Sequence, residues 1–406
     1  MTRPIPLAAL RAIALHAQSL TAPNGSEPAP TLDAISDTVD KLVCVQIDTL
    51  HMVARAQYLT LWSRLGSYDM ADFDRLIYDP ADRRLFEYWG HAASIMPLRD
   101  YRYYQSLLFN RASWQRWHSK PENSKLTAQV LARIRDGQGM RHEDFERDGQ
   151  KRGAWWDWTP VKTALEYLFF SRQLMIANRI HFHRVYDLPE RVVPKGAATQ
   201  KVGDEASRRY FLGRSLQALG VGTPQDIAHY AYRSHTRPTI SALTQAGVFV
   251  PITGEIGGKE VDLLIHRDNL PLIDQALDGA IRPARTTFLN PFDSLVWAKH
   301  RVTSFWNFEV RLEAYTPEPQ RRWGYYSLYI LHKDRLVGRF DPKLERKTGR
   351  LILRAVHLEA GVQPDDELIA DMAAPMRDFM KFHAARELVI EKSAFAAFAK
   401  KLLKAL

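Results

Sequence analysis

Apolar positions in this chain fall into two rhythms that take turns. Leu7 to Leu20 and Leu32 to Leu42 repeat at helical spacing. Between them Thr21 to Thr31, with Pro23, Gly25, Pro28 and Pro30, is loop-like. Val43-Cys44-Val45-Gln46-Ile47-Asp48-Thr49 changes to the two-residue rhythm of a strand. Val45 and Ile47 share one face, and Gln46 and Asp48 share the other. A third helix is expected over Ala54 to Leu65. Leu85 to Trp89 and Ala93 to Met96 read as short strands able to pair beside the first. Helices followed by a small hairpin is the order of a winged helix.

The order recurs twice. Lys125 to Asp136 and His142 to Glu146 read as helices. Thr159-Pro160 starts another, with Thr as N-cap and Pro in the first helical position. Leu174 to Ala177 and His181 to Tyr186 follow as strands. Next, Asp204 to Leu219 ends at Gly220, Thr223-Pro224 opens a second helix, and Pro238 to Gln245 forms a third. Val248 to Ile252 and Glu260 to Ile265 are strands joined across Gly257-Gly258. After about Arg282 the pattern changes to closely spaced strands, Val310 to Tyr315, Tyr325 to Leu331, Leu336 to Phe340 and Leu351 to His357. Asp366 to Ala385 follows as a closing helix, and Lys392 to Leu406 as a basic helical tail. The expected class is α+β. Three tandem winged helices (1–120, 121–202, 203–281) precede a small antiparallel β-barrel with a C-terminal helix (282–406).

Composition narrows the function. The chain has 406 residues, a net charge of +10 and a pI of about 9.5, which favours a polyanionic partner, nucleic acid ahead of membrane. Arg321 to Arg350 alone holds nine Lys or Arg against three Asp or Glu, interleaved with Trp323, Tyr325, Tyr326 and Tyr329. No apolar run long enough to span a bilayer is present, and the N-terminus lacks a signal-peptide pattern. The single cysteine, Cys44, excludes an intrachain disulfide and cysteine-rich metal sites, and fits a reducing cytoplasm.

Among candidate chemistry, Gln46 and Asp48 stand two apart on a strand, roughly 6.6 Å apart with parallel side chains. An amide and a carboxylate so placed can aim at one water or one sugar carbon. The plainer alternative is that Asp48 or Thr49 caps a helix beginning near Met52. His181 and His183 form a His-x-His pair without an evident third ligand, so no metal is expected. Gly254 to Gly258 lacks the ending of a phosphate loop. Trp155-Trp156-Asp157-Trp158 reads as a packed anchor before a helix. Nothing resembles a Ser-His-Asp arrangement.

Gln46-Ile47-Asp48-Thr49 resembles the Gln-apolar-Asp motif of the AlkZ/YcaQ (AlkX) family of bacterial DNA glycosylases. The likeness extends through Glu87-Tyr88-Trp89-Gly90-His91, the Trp155 to Trp158 run, and His183-Arg184-Val185-Tyr186-Asp187-Leu188. It continues through Pro291-Phe292-Asp293 with Trp297, Glu313-Ala314-Tyr315-Thr316-Pro317 and Val337-Gly338-Arg339-Phe340-Asp341. It departs at Ala92, where the family often carries an acid after the histidine. The resemblance implies three tandem winged helices and a β-barrel around a basic channel. It also implies a monofunctional glycosylase that releases N7-alkylguanine and unhooks interstrand crosslinks, without a cofactor.

On that reading Gln46 and Asp48 are the catalytic pair, and Thr49, Glu87 and His91 support it. Arg321, Arg322 and Trp323, on a hairpin running from Glu313 to Tyr326, contact the duplex. The expected partner is double-stranded DNA carrying alkylated or crosslinked guanine, met by a monomer in the cytoplasm at the nucleoid. The competing class is a winged-helix transcription regulator in which Gln46 and Asp48 are structural.

Overall fold

The computed structural model describes residues 3–25, 30–107, 112–145, 159–393 and 396–406. The chain packs as two units, Met1–Met70 with Phe211–Leu406, and Ala71–Tyr210.

In the first unit the helix Leu7–Ala17 buries Leu10, Ile13, Ala14 and Leu15 completely. These side chains join one core with Val221, Leu263 and Ile265 of one sheet and Leu289, Tyr329 and Leu331 of another. The first sheet runs Ile5–Pro6, Phe249–Ile256, Lys259–His266, Val221–Gly222. Its hairpin turns at Gly257 and Gly258, with φ of 60° and 74°. Two successive left-handed residues match the twist of paired strands, and only glycine adopts that pair of conformations without strain. Three helices precede the hairpin: Asp204–Leu219, Pro224–Tyr230 and Arg237–Gln245. Thr223 and Asp226 cap the middle one reciprocally, and Pro224 fills the position whose N–H would have no helical partner.

The second sheet has the order Thr286–Leu289, Leu328–His332, Arg335–Glu345, Arg350–Leu358, Glu387–Ile390. It is antiparallel except at its last strand, which lies parallel to Arg350–Leu358. Among the described residues it stays open, so the expected closed antiparallel barrel is not found. A parallel partner needs a crossover. Asp366–Phe382 supplies it and covers the sheet, with Phe379 packed edge-on to Phe288 at 5.7 Å and against Trp62 at 4.8 Å. The two edge strands carry no alternation long enough to read from sequence.

The strand expected at Val310 to Tyr315 and the hairpin expected from Glu313 to Tyr326 are also not formed. The segment is a loop with one 3-10 turn, Glu318–Gln320. Pro317 and Pro319 have no N–H for a ladder. The buried Glu313 carboxylate instead accepts from Arg322 N at 3.1 Å and Trp323 N at 2.8 Å, occupying donors a strand partner would have used.

The second unit holds the hairpin Leu85–Gly90 with Ala92–Pro97 and the hairpin Met175–Ile180 with His183–Asp187. Its helices include Pro121–Asp136 and Pro160–Phe170, the latter capped by Thr159, whose hydroxyl accepts from Lys162 N. The helix expected over His142 to Glu146 is one 3-10 turn, His142–Asp144, and Glu146 lies outside the described residues. Trp155 to Trp158 also lies outside them. Among the described residues no helix is long and apolar enough to cross a membrane.

Candidate active site

The segment carrying Gln46 and Asp48 is aimed by a sharp turn. The helix Leu32–Lys41 ends, and Val43 then adopts φ of 67°, a left-handed conformation that costs a β-branched residue of order 1–3 kcal/mol. Its N–H donates to Asp40 O, and Tyr230 Oη donates to Leu42 O at 2.8 Å, so both sides of the turn are pinned. Ladder pairing covers Val45–Gln46 only, but the alternation persists. Val45 and Ile47 are buried, Gln46 and Asp48 are half-buried, and Thr49 is exposed.

Asp48 does not cap a helix. Leu50 N donates to its Oδ1 at 2.8 Å, a local Asx turn, while the next helix starts at Ala56 with Arg55 in the cap position. The intervening loop is tied down at Met52 O, which accepts from Leu344 N at 3.0 Å, and at Val53 O, which accepts from Arg346 Nη2 at 2.7 Å. Arg346 also donates to His51 Nε2 at 2.8 Å, so that nitrogen carries a lone pair. Burial and the charges of Arg346 and Arg55 hold His51 down to about 4.

The helix Ala56–Leu65 anchors what precedes it. Arg64 meets Asp293 twice, at 2.6 and 2.9 Å, with both side chains fully buried. Gln18 and Ser294 complete the polar set. Trp62 Nε1 donates to Asp378 at 2.8 Å.

Burial pushes the Asp48 carboxyl above the ordinary carboxylate value, and the N–H groups of Leu50 and Thr49 pull it part of the way back. Among the described residues no Lys, Arg or His pairs with it, and the Gln46 amide makes no side-chain hydrogen bond. The fold thus presents a shielded, unpaired carboxylate beside an uncommitted amide. Such a pair can stabilise a developing cation and orient a water.

The other expected site residues divide. Glu87, in the second unit, is 2% exposed and fully engaged. Arg179 grips both its oxygens at 2.6 and 2.7 Å, and Tyr78 Oη donates to it as well. Burial would raise this carboxyl, but Arg179's charge and hydrogen bonds outweigh that and hold it low. Glu87 therefore braces its hairpin. His91 sits at the tip of the same hairpin, where Ser94 Oγ donates to its carbonyl at 2.9 Å and Ala92 follows with φ of 62°.

Arg322 is largely exposed, whereas Arg321 donates from Nε to Thr316 O at 2.8 Å. Trp323 is 9% exposed, sandwiched between Arg322 and Arg339 at 4.6 and 4.1 Å. It packs within the fold and does not offer the open face expected of a DNA contact. Tyr315, part of the Glu313 to Pro317 motif but not singled out as a contact from sequence, is 82% exposed in the same loop. Beside the loop lies a cleft of about 490 Å³ lined by Arg321, Arg322, Arg354, His357 and Lys392 with Glu318, Asp341 and Glu391.

Residues 39–398 match the sequence model of the family described as DNA glycosylase AlkZ-like. The chain belongs to that family. The fold is similar to that of Streptomyces sahachiroi DNA glycosylase AlkZ, with a TM-score of 0.61 and 13% identity over 96% of this chain and 100% of that one. The protein is thus a DNA glycosylase, an enzyme of DNA repair, and not the transcription regulator that its helices alone would have allowed.

Several motifs of this AlkZ-like glycosylase prove to be fasteners. Asp341 accepts from Tyr325 N and Tyr326 N, both at 2.9 Å. Gly324 beside it has φ of 134°, and a Cβ there would stand 2.5 Å from Asp341 Cβ. Only glycine fits. Asp293 neutralises Arg64. Asp341, Glu313 and Asp293 thus set backbone and burial rather than chemistry.

The glycosylase also gathers His183, Glu143 and His142, with ligand atoms within 4.8 Å of one another. His183 therefore finds its neighbours across the fold and not in His181. Its Nδ1 lies 3.2 Å from Glu143 Oε1, while Arg141 lies 3.2 Å from the other oxygen. Arg141 is shared with Asp144, also at 3.2 Å, so these side chains form a partly exposed polar cluster.

Proposed function

We propose that this glycosylase hydrolyses the N-glycosidic bond of N7-alkylguanine in double-stranded DNA, as monoadducts and as interstrand crosslinks, acting as a monomer on chromosomal DNA in the cytoplasm. The observation that carries this reading is the shielded, unpaired Asp48 carboxylate beside the uncommitted Gln46 amide. Alkylation at N7 makes the base cationic and a ready leaving group, so an acid to protonate it is not required. The C1′–N9 bond breaks with its electron pair going to the base, which departs neutral. Positive charge develops on the sugar, where Asp48 opposes it. A water held by Gln46 attacks C1′ and yields its proton to Asp48, leaving an abasic site.

For the architecture, the reading is of three tandem winged helices, 1–120, 121–202 and 203–281, followed by the β-rich 282–406. Its support is the helix–helix–helix–hairpin order of Asp204–Leu219 to Lys259–His266. DNA contact is assigned to Arg321, Arg322 and Tyr315, with Thr49 in a supporting role beside Asp48.

The test is to incubate the purified enzyme with duplexes holding 7-methylguanine in several sequence contexts. Free base is measured by chromatography and abasic sites by mild base cleavage. Release of 7-methylguanine with little context dependence is expected. Intact 7-methylguanine under conditions where the enzyme binds the duplex would overturn the assignment.

A further inference from the structure

Glu313 and Asp341 together fix the backbone from Arg322 to Tyr326 with four hydrogen bonds. Such investment raises the question of what the turn delivers. Its last residue, Tyr326, is fully buried. Its ring lies 6.3 Å from that of Phe292, next to the Arg64 partner Asp293. Its hydroxyl has no hydrogen-bond partner among the described residues. Burying a hydroxyl unpartnered costs stability that phenylalanine would not forfeit. The titratable groups whose charge bears on it are Asp48 and Tyr329. Burial first, and then the Asp48 charge, keep the phenol protonated, hence a donor. Asp48 and Tyr326 belong to the same unit, and the loop after Asp48 is tied to the strand Arg335–Glu345 and Arg346 beyond it, the strand whose Asp341 holds Tyr326.

We propose that Tyr326 is a positioning residue of the hydrolytic site, its hydroxyl donating toward Asp48, directly or through the attacking water, once DNA is bound. The proposal rests on the assignment of Asp48 made above. A donor there fixes the carboxylate's orientation and favours its ionised form, the form that accepts the proton. It also explains an otherwise costly hydroxyl, held in reserve for the carboxylate.

The test is Tyr326→Phe, with Asp48→Asn and the double variant alongside, in single-turnover release of 7-methylguanine across pH. Tyr326→Phe should slow release about ten- to a hundredfold, the scale of one hydrogen bond to a charged group. The acidic limb of its pH–rate profile should move to higher pH, because the carboxylate loses a donor. Its Tm should hold or rise. In the Asp48→Asn background the change should add nothing further. A slow Asp48→Asn with a wild-type Tyr326→Phe rate and unmoved acidic limb would overturn this proposal alone. A wild-type rate for Asp48→Asn would overturn the underlying assignment instead. A slow Tyr326→Phe whose Tm also falls, with the acidic limb unmoved, would assign the tyrosine to packing and overturn its role here.

Discussion

Arg64 and Asp293 meet at 2.6 Å with neither side chain exposed, across 229 positions of sequence. Each exists as a buried charge only because the other does. Asp293→Ala should therefore lower stability by about 3–5 kcal/mol, since it strands the guanidinium. Replacing both residues by apolar ones of similar volume should cost much less. Denaturant melts of the single and double variants check this.

Asp48→Asn should slow base release about a hundred- to thousandfold, the scale of one electrostatic contact to a developing charge, with DNA affinity nearly unchanged. Its stability should move the other way. Because burial raises the folded-state pKa of Asp48, the folded protein holds that proton more tightly than the unfolded chain does. Wild type is thus free of the penalty below the ordinary 3.8 and acquires it as pH rises through the raised value. Asparagine keeps the acceptor for Leu50 N without the charge. The variant's Tm should exceed wild type at neutral pH, and the gap should close on acidification.

His51 and His383 give a second pH signature. Burial, then Arg346 and the neighbouring histidine, push His383 down to about 3, and His51 stands at about 4. The unfolded chain protonates these rings first, so the stability they contribute is whole above 6.5 and is lost as pH falls toward those values. The limiting slope is about 1.4 kcal/mol per pH unit for the buried His383, and solvent screening leaves the exposed His51 a smaller share. His383→Phe should flatten the decline of Tm between pH 6.5 and 4. A variant with the wild-type slope would remove His383 from the account.

DNA affinity should fall steeply with salt. Arg322→Ala should reduce the slope of log affinity against log salt by about 0.9, one phosphate's worth. Arg321→Ala should do more than that, because it also frees Thr316 O and loosens the loop. Tyr315→Ala should weaken base release without lowering Tm, the side chain being exposed. Filter binding over a salt series and melts of the three variants separate these effects.

Local chemistry wrote itself plainly into the chain. Thr159-Pro160 and Thr223-Pro224 begin helices as their caps require, and Gly257-Gly258 makes the tight turn. The alternation at Gln46 and Asp48 survives in the burial pattern even where the ladder stops. What could not be read was whatever depends on a distant partner. Glu87 looked available until Arg179, 92 positions away, took both its oxygens. Trp323 read as a DNA contact, but Arg322 and Arg339 cover its faces. Glu313 and Asp341 matched family motifs without revealing that they hold backbone N–H groups. Tyr326 left no periodic trace, because an unpartnered hydroxyl is a property of surroundings and not of spacing. The barrel expectation failed for a related reason. Thr286–Leu289 and Glu387–Ile390 are four residues each, too short for a rhythm to show.

The half-shielded state of Asp48 is reached when the chain folds, before any DNA is met. Water is therefore already thinned around the carboxylate, and under the proposed role of Asp48 the enzyme would not depend on sealing a lesion inside a closed chamber to make that charge effective. Under the reading above, the adduct's bulk on the far side of the guanine is then of little consequence to the chemistry at C1′. A tolerance for oversized lesions would follow from a residue that never touches them.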